Sequence, residues 1–328
     1  MLSFVKRFFV ALGISVIYTS VASAIETKGV VVTIKPLHSM VSGVMGTTGK
    51  PNLLVTGYAS PHGFQLKPSQ VKLLKRSDII FSIDEFLETF LQRAFSNIPG
   101  NVKQVTVVDA ARIKLLPIRE GGPWEVHKHD EHKDGEHKAK GDKHTAHKDE
   151  GHDYHGGNGD IHVWLTPKNA EKIVKAITRE LSELYPENRN IYKANALSYI
   201  QKLQKLDDEL KTLLVDVKAK PFIVFHDAFQ YFEKAYGLNG VGTISIEPDE
   251  SPSPKRLTEI RKKLKETKTS CVFKEPQFSE RVVRAVVDKT SAKIGVLDPL
   301  GANLKSGQSM YFELIRKLAN NFKQCLTL

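Results

Sequence analysis

The chain has 328 residues, enough for two domains of ordinary size, and its 41% hydrophobic and 26% charged residues are typical of a globular protein. Its formal net charge is +11. The lysines are spread over predicted helix faces, interleaved with acids and without an aromatic stacking pattern. The basic excess therefore indicates a solvated surface, and nucleic acid is excluded as an expected partner.

The first 24 residues have the pattern of a cleavable secretory signal peptide. A basic pair precedes an apolar run at 8–18, and the small residues at 22–24 form an A-x-A cleavage site. The apolar run is too short for a spanning helix, and no long uncharged apolar stretch follows it. We therefore expect an exported protein that begins near Ile25 and has no membrane span of its own.

Strands and helices alternate along the rest of the chain. Apolar, β-branched runs predict strands at 30–34, 52–55, 78–83, 104–108, 221–225, 242–246, 271–275 and 293–297. Helical patterns follow them at 36–45, at a segment capped by Ser69, and at 86–95, 167–185, 188–217, 228–236, 254–267, 280–289 and 311–325. This alternation predicts an α/β fold of two parallel-sheet lobes, each flanked by helices and joined by helix.

A histidine-rich segment at 125–159 is an insertion near the end of the first half. It contains eight of the twelve histidines: His127, His129, His132, His137, His144, His147, His152 and His155. Lys, Asp, Glu and Gly fill the gaps, so burial cannot offset the entropy of ordering, and we expect disorder without metal. Eight histidines in an exported protein favour metal contact over a solvated spacer, and their irregular spacing on a flexible chain predicts weak, accessory sites.

The other four histidines are His38, His62, His162 and His226, and three of them follow predicted strands or short apolar starts. Asp298 has the same position, directly after the strand at 293–297. Ligands of open α/β sheets bind beyond the carboxyl ends of strands, so four such groups can converge between the lobes. Three imidazoles and a carboxylate suit Zn²⁺, whereas Mn²⁺ usually takes more oxygen ligands.

Ordinary structural roles compete with this interpretation. A single loop histidine is more often a hydrogen-bonded structural residue, and an Asp-Pro pair after a strand is often only a turn. His38 follows Pro36 at the start of a helix, where the structural interpretation is favoured. The two cysteines, Cys271 and Cys325, indicate one disulfide in an exported protein. A thiolate metal site would need further soft ligands, and none is visible.

Five strings in order resemble the periplasmic zinc-binding proteins of bacterial ABC-type zinc uptake systems, the ZnuA family. They are SPHGFQLKPSQ, DIHVWLTPKNA, FIVFHDAFQYFEKAYGL, CVFKEPQFSE and VLDPLGANL. The resemblance implies two α/β lobes bridged by one long rigid helix, with the metal in the cleft between them. It divides the chain into a signal peptide at 1–24, a first lobe at 25–166, a linking helix at 167–187 and a second lobe at 188–328.

By the same resemblance the metal ligands are His62, His162 and His226, with Asp298 as the fourth. Manganese-binding relatives generally have a glutamate at the position of His226, which favours zinc. Some zinc-binding members have a glutamate before the first histidine, but Pro61 occupies that position here. The fourth ligand is therefore Asp298 or a water. The two cysteines match the disulfide positions of the family.

The resemblance implies a monomeric periplasmic protein of a Gram-negative bacterium that captures Zn²⁺ and delivers it to a membrane ABC permease. It is expected not to be an enzyme, and its histidine-rich segment is interpreted as an accessory zinc collector or sensor. A metallohydrolase is one alternative, with Asp227 as the only obvious general base beside the metal. A zinc buffer that uses only the histidine-rich segment, or an adhesin with structural zinc, is another.

Overall fold

The computed structural model describes residues 29–119, 124, 159–245 and 252–327. The predicted signal peptide and the eight histidines of the histidine-rich segment lie outside the described residues. Among the residues that are described, no helix has the length and apolar character needed to cross a membrane.

The first half of the chain begins with alternating strands and helices. They are β1 (Val30–Val32), α1 (Lys35–Met45), β2 (Asn52–Leu53), α2 (Pro68–Lys75), β3 (Ile79–Ser82), α3 (Phe90–Phe95), β4 (Lys103–Thr106) and α4 (Val107–Ala110). Two short strands follow, β5 (Leu116–Pro117) and β6 (Gly159–Asp160), and then a 3-10 turn at Val163–Leu165.

Two long helices, α5 (Pro167–Leu184) and α6 (Arg189–Leu213), connect this part to the second half. The second half contains β7 (Pro221–Val224), α7 (Gln230–Tyr236), β8 (Asn239–Thr243), α8 (Pro254–Glu266), β9 (Cys271–Lys274), α9 (Glu280–Val287), β10 (Lys293–Val296) and α10 (Met310–Thr327). Helix α6 packs on both α1 and α10, which belong to different halves.

Each half is built on a four-stranded parallel sheet. The strand order is β2-β1-β3-β4 in the first sheet and β10-β9-β7-β8 in the second. Every pair of neighbouring strands in these two sheets is parallel. The predicted α/β fold with two parallel-sheet lobes is confirmed. In the first half the loop that carries His62 leaves the carboxyl end of β2, and in the second half His226 follows the carboxyl end of β7.

The core explains why the central strands are continuously apolar. All three residues of β1 and all four of β3 are buried, as expected for parallel strands covered on both faces. One hydrophobic cluster contains residues of α1, α5, α6 and α10 together with both sheets. The halves therefore share a packed core on the side of these helices.

Capping signals in the sequence start helix α5 a few residues after His162. Thr166 is its N-cap, and the Thr166 hydroxyl accepts a hydrogen bond from the Asn169 amide at 3.1 Å. Pro167 supplies the first helical residue, where its missing N–H costs nothing. The predicted helix start at Thr166-Pro167 is confirmed.

Cys271 and Cys325 form the expected disulfide, with their Cα atoms 6.0 Å apart. It joins the first residue of β9 to α10 across 54 residues of chain. The second sheet thus has a covalent connection to the closing helix.

Some predicted bounds are wrong for identifiable reasons. Ser69 does not cap α2, because Pro68 already begins the helix and the Gln70 side chain accepts from the Lys67 amide. The strand predicted at 242–246 lies instead at Asn239–Thr243. The predicted helix at 188–217 ends at Leu213 and continues only as a 3-10 turn at Val215–Val217.

Candidate metal centre

His62 reaches the site from the long loop between β2 and α2. The loop leaves the sheet at the carboxyl end of β2, and the His62 amide donates to the Ser60 hydroxyl at 3.2 Å. The imidazole is half-buried, whereas His162 and His226 are buried. His62 is therefore the group of the three that lies nearest to solvent.

His162 follows β6 and is oriented by Asp160. The His162 amide and its Nδ1 both lie within hydrogen-bond distance of Asp160 Oδ1, at 2.9 and 2.8 Å. A carboxylate only accepts hydrogen bonds, so Nδ1 carries the proton and Nε2 presents a lone pair. Asp160 thus fixes both the ring orientation and the tautomer that can bind a metal.

His226 follows β7 and has an equivalent partner in Glu275, which follows β9. His226 Nδ1 donates to Glu275 Oε1 at 2.6 Å, and the His226 amide lies 3.3 Å from the same oxygen. Burial lowers the pKa of His226, but the charge and the hydrogen bond of Glu275 outweigh it, so the pKa is raised overall. Glu275 therefore fixes the ring for metal binding and makes it more basic.

The three histidines meet through their Nε2 atoms. His162 Nε2 lies 3.4 Å from His62 Nε2 and 3.3 Å from His226 Nε2, and one ligand atom from each ring lies within 4.8 Å of the others. A tetrahedral zinc ion with Zn–N bonds of about 2.0–2.1 Å sets its nitrogen ligands about 3.3–3.4 Å apart. The donor atoms and both measured separations therefore fit Zn²⁺.

Asp298 does not belong to this group of ligand atoms among the described residues. Its Oδ1 accepts from Gln277 Nε2 at 2.8 Å and from the backbone amides of Leu300 and Gly301. Its Oδ2 accepts from the Ala302 amide at 2.6 Å. Gly301 has a φ of 67°, which side-chain-bearing residues rarely adopt. Asp298 organises the turn after β10, and its assignment as fourth ligand stays a prediction.

Lys35 connects this turn to the first half. Its ammonium group donates to the carbonyl oxygens of Gly301, Ala302 and Leu304, at 3.2, 2.6 and 3.1 Å. Burial lowers the pKa of Lys35, and the negative charge of Asp298 opposes that shift. The turn that carries Asp298 is thus held by side chains from both halves.

Asp227 lies next to His226 but is committed to a different contact. Arg119 donates to both Asp227 carboxylate oxygens and to both oxygens of Glu233 on α7. The Arg119 guanidinium also stacks on Trp124, 3.5 Å from its ring centroid. Asp227 is not among the residues that line the cleft at the three histidines. The sequence-based candidate for a hydrolytic base is therefore engaged in an ion pair.

Two paired strands, β5 and β6, flank the histidine-rich segment in the sequence and lie beside the site. β5 and β6 pair antiparallel, with Leu116 opposite Asp160. The Tyr231 hydroxyl accepts from the Leu116 amide at 3.0 Å and donates to the Asp160 carbonyl at 2.8 Å. Because Asp160 also orients His162, the strand β6 that follows the segment is held within two residues of a site histidine.

The fourth described histidine has a structural setting. His38 lies inside α1, and its Nε2 donates to the Pro51 carbonyl at 3.0 Å. Burial lowers the pKa of His38, which keeps the ring neutral.

Sequence reasoning did not identify Asp160, Glu275 or Gln277 as site residues. The position of Glu275 at the end of β9 was the available signal, since the three site histidines were recognised by such positions.

Comparison with known proteins gives one family. Residues 30–325 match the family described as zinc-uptake complex component A, periplasmic, or ZnuA. The high-affinity zinc uptake system protein ZnuA of Brucella suis biovar 1 is 42% identical over 309 residues, covering 92% of each chain. The protein of the same name from Yersinia pestis is 31% identical over 303 residues, again covering 92% of each.

Solved structures share the fold. A crystal structure of ZnuA superposes with a TM-score of 0.73 at 24% identity, covering 92% of this chain and 100% of that one. A zinc-bound ZnuA deletion mutant gives a TM-score of 0.71 at the same identity, covering 92% and 98%. The family match runs from β1 to within a few residues of the chain's end, and the chain therefore belongs to the ZnuA family of periplasmic zinc-uptake components.

Proposed function

We propose that this chain captures Zn²⁺ in the periplasm with high affinity and delivers it to the permease of an ABC transporter for import. The observation that carries the proposal is the meeting of three imidazole Nε2 atoms, two of whose separations match tetrahedral zinc. Membership of the ZnuA family supports Zn²⁺ as the transported ion, and so does the 42% identity to a relative named as a high-affinity zinc uptake protein. The family consists of solute-binding transport proteins, and we propose that this chain likewise catalyses no reaction.

The proposed zinc ligands are His62, His162 and His226. Their rings come from both halves of the chain, so zinc would bind where the carboxyl ends of the two sheets face each other. The fourth coordination position belongs to Asp298 or to a water. Coordination by Asp298 would require its carboxylate to leave the backbone amides of the turn after β10, whereas a water would leave that turn unchanged.

Isothermal titration of the zinc-free mature chain with Zn²⁺ tests the ligand assignment. Alanine substitution of any one of the three histidines should weaken zinc binding by more than about 100-fold, since a ligand is lost outright. His38→Ala is the matched control, because His38 is a histidine of the same chain with a purely structural contact. Unchanged zinc affinity in the triple alanine variant would contradict the assignment.

A growth experiment tests delivery to the permease. Deletion of the gene should abolish growth in chelator-treated medium, and added zinc alone should restore it. Complementation with wild type should succeed, whereas His226→Ala should fail and His38→Ala should succeed. Rescue by His226→Ala at wild-type level would show that the cleft is not used for uptake.

We further propose that the histidine-rich segment is an accessory zinc collector. The flanking strands β5 and β6 are held together beside His162 with the help of Tyr231, and this supports a role near the cleft. A variant lacking 125–158, which keeps β6 intact, should lose additional weak zinc sites and retain one tight site. Loss of the tight site in this variant would contradict both the collector role and the cleft assignment.

Several organisational features are part of the same proposal. We propose cleavage of a signal peptide after residue 24 and a monomeric mature chain. We also propose a division into a first lobe at 25–166, a linking helix at 167–187 and a second lobe at 188–328. Because a packed core joins the halves near α5 and α6, release would come from small shifts of loops rather than from a wide hinge. Mass measurement of the exported protein and its sedimentation in solution test the first two points.

A further inference from the structure

Gln277 links the cleft to the turn that carries Asp298. Its Nε2 donates to Asp298 Oδ1 at 2.8 Å. A carboxylate oxygen only accepts hydrogen bonds, so this contact fixes which end of the amide faces Asp298. Gln277 also lines the cleft beside His62, His162 and His226. Its other end, Oε1, is buried and accepts no hydrogen bond from the described residues.

A buried amide oxygen of this kind requires a proton donor. An unsatisfied buried acceptor destabilises the folded chain, and a bound donor would remove that cost. Two of the neighbouring imidazoles cannot supply that donor. His162 and His226 give their Nδ1 protons to Asp160 and Glu275, and their Nε2 atoms face each other across the proposed zinc site. Glu275 Oε2 is a second buried acceptor without a described partner at the same place.

Asp298 is costly to recruit as a zinc ligand. Its two oxygens accept from three backbone amides in addition to Gln277. The turn also carries the carbonyl oxygens that hold the Lys35 ammonium. A carboxylate that moved to the metal would leave several of these buried donors without a partner. A zinc-bound water needs none of these contacts to break, and it brings protons to acceptors that lack them.

We propose that Gln277 is a positioning residue of the zinc site. Its Nε2 keeps Asp298 in the turn and outside the coordination sphere, and its Oε1 accepts a hydrogen bond from a water that is the fourth zinc ligand. This inference rests on the proposed zinc-binding function. Zinc is then carried with three imidazoles and one exchangeable position, through which a ligand from a receiving protein can bind before any protein–zinc bond breaks.

The spectrum of Co²⁺ bound in place of zinc tests the wild-type site directly. The visible absorption of Co²⁺ reports its ligands, and azide replaces a bound water but not a bound carboxylate. The wild-type chain should bind one Co²⁺, and azide should change its spectrum. X-ray absorption of the zinc-loaded chain should show three imidazoles and one further oxygen without a carboxylate carbon. A spectrum insensitive to azide, with a carboxylate carbon present, would overturn the proposal.

Two variants separate the role of Gln277 from that of Asp298. Gln277→Leu should raise the zinc dissociation constant about 10-fold and change the azide response, because the water loses its acceptor and Asp298 loses its tether. Asp298→Asn should lower thermal stability while leaving the Co²⁺ spectrum as in wild type. A changed Co²⁺ spectrum in Asp298→Asn would identify Asp298 as the ligand and overturn the proposal.

The matched control is Gln204→Leu, because Gln204 also donates its side-chain amide to a carboxylate, Glu171, but on the exposed surface. It should change neither the spectrum nor the affinity, and an effect equal to that of Gln277→Leu would count against the specific role of Gln277. The two proposals fail differently. If the wild-type chain bound no zinc, or bound it unchanged in the triple histidine variant, the proposed function itself would fail.

Discussion

The two halves of the molecule use the same sheet position for different purposes. Counted within its own half, each sheet has its strands in the order second, first, third, fourth. Each also places a buried glutamate at the carboxyl ends of its first and third strands. In the first half, Glu88 accepts hydrogen bonds from the Thr33 hydroxyl and from the amides of Ile83 and Asp84. In the second half, Glu275 accepts from the imidazole of His226.

The comparison shows how the same buried carboxylate can serve the sheet in one half and orient a cleft histidine in the other. Thr33 follows β1 and offers a small hydroxyl, so Glu88 closes the two strand ends against each other. His226 follows β7 and offers a ring, so the equivalent carboxylate orients an imidazole whose other nitrogen faces His162 in the cleft. The side chain offered just beyond the first strand therefore determines whether the buried carboxylate bonds to a hydroxyl or to an imidazole of the proposed site.

The largest expected effect concerns the disulfide, which only the second of the two sheets possesses among the described residues. Removing the bond between Cys271 and Cys325 frees a loop of 54 residues, which should lower the free energy of unfolding by about 4 kcal/mol on loop-closure entropy. Chemical unfolding of the zinc-free Cys271→Ala/Cys325→Ala variant measures the loss. Comparison with reduced wild type separates loop closure from the lost side-chain volume, and a loss below about 1 kcal/mol in both would contradict the estimate.

The second prediction concerns how the protonation of Glu88 changes the free energy of unfolding with pH. Burial raises the pKa of Glu88 to about 7, although hydrogen bonds from Thr33, Asp84 and Ile83 oppose the shift. The folded chain therefore binds this proton more tightly than the unfolded chain, whose glutamate titrates near 4.5. The stability that this proton contributes is complete below pH 4.5 and is lost as the pH rises to about 7. That loss amounts to about 3 kcal/mol.

Chemical unfolding of zinc-free wild type and Glu88→Gln at pH 5 and pH 8 tests this prediction. Relative to the variant, wild type should lose about 3 kcal/mol between the two pH values, because the shared titrations of other groups cancel in the difference. Glu85→Gln is the matched control, since Glu85 is an exposed glutamate three residues away. A difference that does not change with pH would show that Glu88 does not titrate in this range.

The third prediction concerns the equivalent carboxylate of the second half. Glu275→Gln removes the charge behind His226 and should weaken zinc binding by about 10–100-fold, the usual cost of losing a group that orients a metal ligand. Glu88→Gln should leave zinc affinity unchanged, because the Glu88 carboxylate accepts its hydrogen bonds from Thr33, Ile83 and Asp84 rather than from a site histidine. Zinc titration against a competing chelator measures both variants. Equal effects of the two substitutions would break the distinction between the halves.

The sequence predicted the strands better than the residues that follow them. The runs at β1, β3, β7 and β9 are apolar because both sheet faces are covered, and this pattern was sufficient to predict two parallel sheets. The helix predicted at 86–95 begins only at Phe90. The Asp84 side chain accepts the Phe86 amide, and Glu88 is drawn back to the strand ends, so a turn replaces the first helical residues.

The sequence predicted the site residues correctly only where following a strand was enough to bring a side chain into the cleft. His62, His162 and His226 were recognised because they follow strands or short apolar starts, and the structure brings them together. Asp298 has the same kind of position, yet its carboxylate is taken by the amides of the turn that follows it. Such local hydrogen bonds compete with ligand binding and depend on backbone geometry, which spacing alone does not specify.

The smallest expected effect is a change in the pH dependence of zinc binding when Glu275 is replaced by Gln. Zinc binds the unprotonated Nε2 of His226, so protons compete with zinc as the pH falls. Glu275 raises the pKa of His226, and this competition therefore begins at a higher pH than it would without the carboxylate. In wild type the zinc dissociation constant should rise as the pH falls toward 6 and below.

In Glu275→Gln zinc binding is weaker near neutral pH, but its decline should begin at a lower pH, because the His226 ring is less basic. A plot of the logarithm of the dissociation constant against pH, measured for both proteins with chelator competition, separates the two effects. The vertical offset gives the orienting role of the carboxylate, and the position of the bend gives its effect on basicity. A bend at the same pH in both proteins would show that Glu275 orients His226 without changing its basicity in the zinc-free chain.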